Sequence, residues 1–125
     1  MNLEKLTPFV AKTFADLVFE PHANVNNGVQ AKLDLGNGLE ISVVSMKKRE
    51  GEYGGLYGDV TEGTYEVAVF RDNEMLPLNA TDDVRGWQTE DELTELMANL
   101  QKKSYQAFIA NLYIAKDEWR KELDY

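Results

Sequence analysis

A chain of 125 residues with a net charge of −9 is long enough for one domain, whose folding buries roughly two-thirds of the unfolded surface. The acidity excludes free nucleic acid and anionic membranes as partners, because both need clustered Lys and Arg. Without cysteine there are no disulfides, thiolate chemistry or Cys-type zinc sites, and a lone His22 cannot form a multi-histidine metal site.

The N-terminus, MNLEKLTPFVAKTF, has no continuous apolar run of the signal-peptide kind, because Glu4, Lys5 and Lys12 interrupt it. No apolar stretch is long enough to span a membrane. The expectation is a cytoplasmic protein. Leu3, Leu6, Phe9, Val10, Phe14, Leu17 and Val18 recur at helical spacing, which predicts an amphipathic helix within residues 1–20. It starts either at Asn2 or at Thr7, with Pro8 in the first helical position, and Pro21 limits its far end.

Glu20–Gly28 is rich in turn formers and reads as a polar connection. In VQAKLDL (29–35), Val29, Ala31, Leu33 and Leu35 alternate with polar residues, the pattern of a half-buried strand. GNG (36–38) is a tight turn, and LEISVVSM (39–46) returns as the second strand of a hairpin. TYEVAVF (64–70) alternates Tyr65, Val67 and Val69 as a third strand. RDNE (71–74) is a turn, and MLPLN (75–79) is a short fourth strand that Pro77 confines to an edge. The antiparallel sheet is thus expected within 27–79.

ATDDVRGW (80–87) reads as a second polar connection, and its Trp87 as a hydrophobic anchor for the following helix or an exposed interface residue. TEDE (89–92) is a capping box, with Thr89 and Glu92 exchanging hydrogen bonds across the first turn. From there no glycine or proline interrupts the chain, so helix is expected over 88–123. Unbroken, ~33 residues would reach ~50 Å, more than the width of a small domain. Either the helix breaks near QKKS (101–104) into a hairpin, or its distal half packs on another subunit. Tyr105, Phe108, Leu112 and Trp119 would then form the seam of a homo-oligomer. The fold class is α+β, a single domain over 1–125 with a three- to four-stranded antiparallel meander and helices at both ends.

The stretch REGEYGGLYGDVTEG (49–63) has neither the glycine spacing nor the lysine of a phosphate loop, and Glu50, Glu52, Asp59 and Glu62 would repel phosphate. It is either a plain connection between strands or a contact surface in which Tyr53 and Tyr57 supply area on an adaptable backbone. Between residues 72 and 95 stand Asp72, Glu74, Asp82, Asp83, Glu90, Asp91, Glu92 and Glu95, against the single base Arg85. No nucleophile motif, EF-hand pattern or companion histidine accompanies them, so no catalytic residue, metal or cofactor is assigned.

The segments NGVQAKLDLGNGLEISVV, YGGLYGDVTEGTYEVAVF and TDDVRGWQTEDELTELMANLQ together resemble a group of small proteins encoded by tailed bacteriophages. The likeness covers about residues 27–101, and LYGDVTEG makes this chain's loop longer than the group's usual form. The resemblance implies a phage origin and a host bacterial cytoplasm, and it carries over no catalytic residues.

Three functions are compatible with the sequence. The first is a non-catalytic acidic binding protein that inhibits or modulates a host or phage protein, such as a nucleic-acid-handling or defence enzyme with a basic surface. Asp82, Asp83, Glu90, Asp91, Glu95, Tyr53 and Tyr57 are its candidate contacts. The second is a self-assembling structural or accessory protein built on the C-terminal helix. The third sequesters a nucleotide-like ligand with Arg49, Tyr53, Tyr57 and Arg71.

Overall fold

The structure is a computed structural model and describes residues 11–23, 25, 27–47, 58–78, 83–102 and 104–123. Among these residues the chain forms a six-stranded sheet and two α-helices. The strands are β1 (Glu20–Pro21), β2 (Gly28–Gly36), β3 (Leu39–Met46), β4 (Tyr65–Arg71), β5 (Glu74–Met75) and β6 (Arg85–Gln88). The helices are α1 (Glu90–Gln101) and α2 (Tyr105–Leu123). Neighbouring strands pair antiparallel in the order β1-β2-β3-β4, and β5 and β6 share the far edge of β4. The α+β class expected from the sequence is the one observed.

The meander follows the alternation of its residues. Ala31 and Leu35 of β2, Leu39, Ile41 and Val43 of β3, and Tyr65, Val67 and Val69 of β4 are buried. Two tight turns fix the register. Asn37 and Gly38 both have positive φ (57° and 76°), and so do Asp72 and Asn73 (51° and 70°). Hairpins favour this geometry because it matches the right-handed twist of the strands. Asn and Asp tolerate it better than other side-chain-bearing residues do. The two turns also touch each other: the Asp72 N–H donates to the Gly38 carbonyl at 3.0 Å.

α1 closes the apolar face. Its Leu93, Leu96, Met97 and Leu100 are all buried and join the strand residues in one core. Burying each such side chain contributes about 1.5–3 kcal/mol relative to leaving it in water. The helix begins as expected: the Thr89 hydroxyl accepts from the Glu92 N–H at 3.2 Å, and Glu92 Oε1 accepts from the Thr89 N–H at 3.1 Å.

Of the two alternatives for the C-terminal segment, the break is found. Lys102 leaves helical geometry with ψ of 156°, and α2 starts at Tyr105. The cause is tertiary, since the local sequence contains no breaker. Leu100 and Ile109 both belong to the core, whereas a straight helix would carry Ile109 about 13 Å onward along its axis. Tyr105, Phe108 and Leu112 pack against the same core. Their apolar spacing is therefore used within the chain, and a subunit seam is not needed to explain it.

Three expectations are corrected. The N-terminal helix does not extend through the described part of its range: Phe14–Asp16 is a single 3-10 turn and Leu17–Phe19 is irregular. Residues 1–10, where the rest of that helix was expected, lie outside the described residues. Side chains of α1 compete for the backbone there. Gln101 Oε1 accepts the Lys12 N–H and Gln101 Nε2 donates to the Lys12 carbonyl, each at 2.8 Å, while the Phe14 N–H donates to Thr94 Oγ1 at 3.2 Å. Backbone groups so occupied are lost to a helical ladder. Val18, expected on the buried stripe, is 74% exposed.

The fourth strand is also shorter than 75–79. Only Glu74 and Met75 pair with β4, and Leu76, Pro77 and Leu78 are buried beyond it. Pro77 has no N–H to extend the ladder. Conversely, β1 and β6 arise within segments that read as polar connections.

β6 carries a backbone irregularity. Tyr65 pairs with Gln88 and Val67 with Arg85, so Gly86 and Trp87 together oppose Glu66. Trp87 takes φ of 56° at this bulge. A bulky residue in the left-handed region costs about 1–2 kcal/mol. Trp87→Gly should therefore be more stable than Trp87→Ala by about 1 kcal/mol. Urea unfolding of the two variants checks this, because both lose the same indole contacts.

Candidate functional site

The described acidic side chains expected to act together fall on separate segments, α1 and the stretch before β6. Glu90, Asp91 and Glu95 are exposed on α1. The first two lie in the opening turn, where the positive end of the helix dipole stabilises them. Asp91 and Glu95, four residues apart, share a helix face. Asp83 differs: it is half-buried and ion-paired with Lys116 of α2, which ties the segment before β6 to the second helix. Asp82, Tyr53 and Tyr57 lie outside the described residues, as does Arg49. Arg71 is half-buried at the end of β4, and Trp119 is half-buried on α2. Trp87 is 47% exposed, so the anchor reading is replaced by a surface position at the β6 bulge.

Beside Glu95 lies a feature that sequence reasoning missed. Arg85 and Gln88 of β6, Glu92, Glu95, Leu96 and Asn99 of α1, and Phe108 of α2 line a groove of about 180 Å³. Each lining residue is placed by an element already described. β6 pairs with the outer edge of β4, α1 starts just after it, and the break at Lys102 turns Phe108 back toward α1. Arg85 Nε donates to the Leu78 carbonyl at 2.7 Å. Burial pulls its guanidinium below the ordinary arginine value, and nearby Glu92 opposes that shift. An arginine with so high an intrinsic pKa remains charged. The sequence offered one signal for this groove: Arg85 is the only base in the acidic run from 72 to 95.

A small groove of this kind can hold one residue-sized group. Drug-sized or nucleotide-sized ligands fill pockets of roughly 300–1,000 Å³. No cluster of His, Cys, Asp or Glu suited to holding a metal ion occurs among the described residues. No described helix is long and apolar enough to cross a membrane.

Glu90 also acts inward. Tyr65 is buried beside Phe14 and Phe19, with ring centroids 5.2 and 5.4 Å away. Burial raises the pKa of its phenol, and the Glu90 carboxylate adds to the effect.

Against known proteins, no family model, curated protein or solved structure matches the chain.

The Tyr65 shift generates a pH prediction. The folded pKa lies above the unfolded value of about 10, so the neutral phenol is favoured by folding. Its contribution is complete below pH ~10 and is lost as pH rises from there through the folded value. Tyr65→Phe should flatten the loss of stability between pH 9 and 11. Urea midpoints across that range test it, and identical slopes for both proteins would exclude Tyr65 as the source.

Proposed function

We propose that the protein is a non-catalytic acidic binding factor that engages a protein partner bearing a basic surface. The supporting observation is the set of exposed acids on α1: Asp91 and Glu95 on its outward face and Glu90 in its first turn, on a helix fixed by its capping box and buried stripe. Carboxylates held on a rigid element present a defined charge pattern, which favours encounter and register with a complementary surface. The net charge of −9 extends that field over the molecule.

In this reading the partner is a host or phage protein that handles nucleic acid or acts in defence, and the acidic flank occupies a surface built for phosphates. The resemblance to tailed-phage proteins suggests the bacterial cytoplasm as the setting. Tyr53, Tyr57 and Asp82 are assigned as accessory contacts, whereas Asp83 is neutralised by Lys116 and contributes less.

The test is recovery of the partner from infected cells with wild-type and Glu90→Lys/Asp91→Lys protein, at increasing salt. Expected are loss of at least tenfold in binding for the variant and progressive weakening of wild-type binding by salt, since exposed charges are screened beyond about 8–10 Å. Binding insensitive to both charge reversal and salt would remove the proposal.

A second reading, self-assembly, is favoured by one observation. Tyr113 and Ile114 of α2 are 46% and 54% exposed, and Tyr113 shares a groove with the exposed Met75 of β5. In this reading the chain sediments as a dimer at micromolar concentration, and Tyr113→Glu/Ile114→Glu converts it to a monomer. A wild-type monomer under those conditions removes this reading.

A further inference from the structure

The groove between β6, α1 and α2 combines groups of both charges with an apolar wall. Its hydrogen-bonding capacity can be counted from the bonds already made. Arg85 Nε is engaged by Leu78, which leaves the terminal guanidinium nitrogens as donors. Asn99 Oδ1 accepts from Lys102 Nζ at 3.2 Å, which leaves its amide N–H groups as donors. Gln88 Nε2 donates to the Gly86 carbonyl at 3.1 Å, so its carbonyl oxygen remains an acceptor. Glu92 Oε1 serves the capping box, and its second oxygen remains. Glu95 adds an exposed carboxylate at the rim. Leu96 and Phe108 supply the apolar surface.

From this inventory we infer that the groove receives the free N-terminal residue of a polypeptide with an apolar first side chain. The inference rests on the reading of the α1 flank as a partner surface and names the part of the partner that enters it. The α-ammonium meets Glu92 and Glu95, and the first carbonyl oxygen accepts from Arg85 and Asn99. The first side chain lies on Leu96 and Phe108. The lining holds one more negative than positive charge, so a cationic N-terminus fits better than a zwitterionic free amino acid. The groove volume of about 180 Å³ suits one residue and is below the range usual for nucleotide-sized ligands.

The probe is Leu-Gly-Gly-amide, compared with its N-acetyl form and with free leucine. Backbone amide shifts of the full-length protein are followed by NMR at pH 6.5 and low salt. Expected are saturable shifts centred on Arg85, Gln88, Glu92, Glu95, Asn99 and Phe108 with the free N-terminus. N-acetylation should weaken binding at least tenfold, and free leucine should bind more weakly than the peptide. Raising the pH through ~8 should abolish binding as the α-amino group loses its proton. Glu95→Gln, an exposed substitution that leaves the capping box intact, should weaken binding about tenfold. No shifts with the free peptide, or equal shifts with the acetylated one, would overturn the inference. The broader reading fails separately, by partner binding that survives Glu90→Lys/Asp91→Lys.

Discussion

The apolar face of the β2–β3–β4 meander must be covered, and most of the structure is a consequence of how that is done. An antiparallel sheet can leave one face in water, but the other needs a second layer. Here Ile41, Val43, Val67 and Val69 are fully buried at the centre of that face. α1 brings Leu93, Met97 and Leu100 onto it, and each of these is also fully buried. Twelve helical residues are too few to cover the whole face, so Leu17, Leu76, Leu78 and Ile109 complete the layer from other segments. The 3-10 turn near Phe14, the buried run after β5 and the fold-back of α2 all serve this one demand.

That demand also explains where the polar chemistry lies. α1 is amphipathic, so fixing its buried stripe fixes the opposite flank as the site of Asp91 and Glu95, while Glu90 lies nearer the stripe, where its charge reaches Tyr65. The capping box sets where the helix begins and hence which acids sit over the positive end of its dipole. The fold-back of α2 places Phe108 beside α1 and Lys116 beside Asp83. The groove around Arg85 is therefore a by-product of core closure, and its helical lining residues Glu92, Glu95, Asn99 and Phe108 each adjoin a buried residue in sequence.

Local patterns in the sequence carried the parts whose energetics are local. The alternation over Val29–Leu35, the turns at Asn37–Gly38 and Asp72–Asn73, and the Thr89–Glu92 cap each depend on a few adjacent residues. They are found where expected. What was not legible depends on distant partners. Gln101 captures the Lys12 backbone across 89 positions of chain, and no window of sequence around Lys12 contains that information. The break before Tyr105 is likewise set by the core that Ile109 must reach. β1 and β6 were hidden because pairings of two residues or a bulged strand leave almost no hydrophobic period.

Arg85 was the candidate-site residue hardest to recognise, although it stood alone among acids. Read as a sequence, it is a weak counter-charge on a solvated loop. In the fold its position on β6 makes it half-buried, and two different groups compensate that burial. The Leu78 carbonyl takes one donor, and the Glu92 carboxylate offsets the charge without consuming the others. A half-buried cation balanced in this way keeps directional donors that a fully paired one would lack. The same carboxylate also caps α1, so helix start, charge balance and groove lining meet at Glu92. Substituting Glu92 would disturb all three together, which makes Glu95 the cleaner lever on the groove alone.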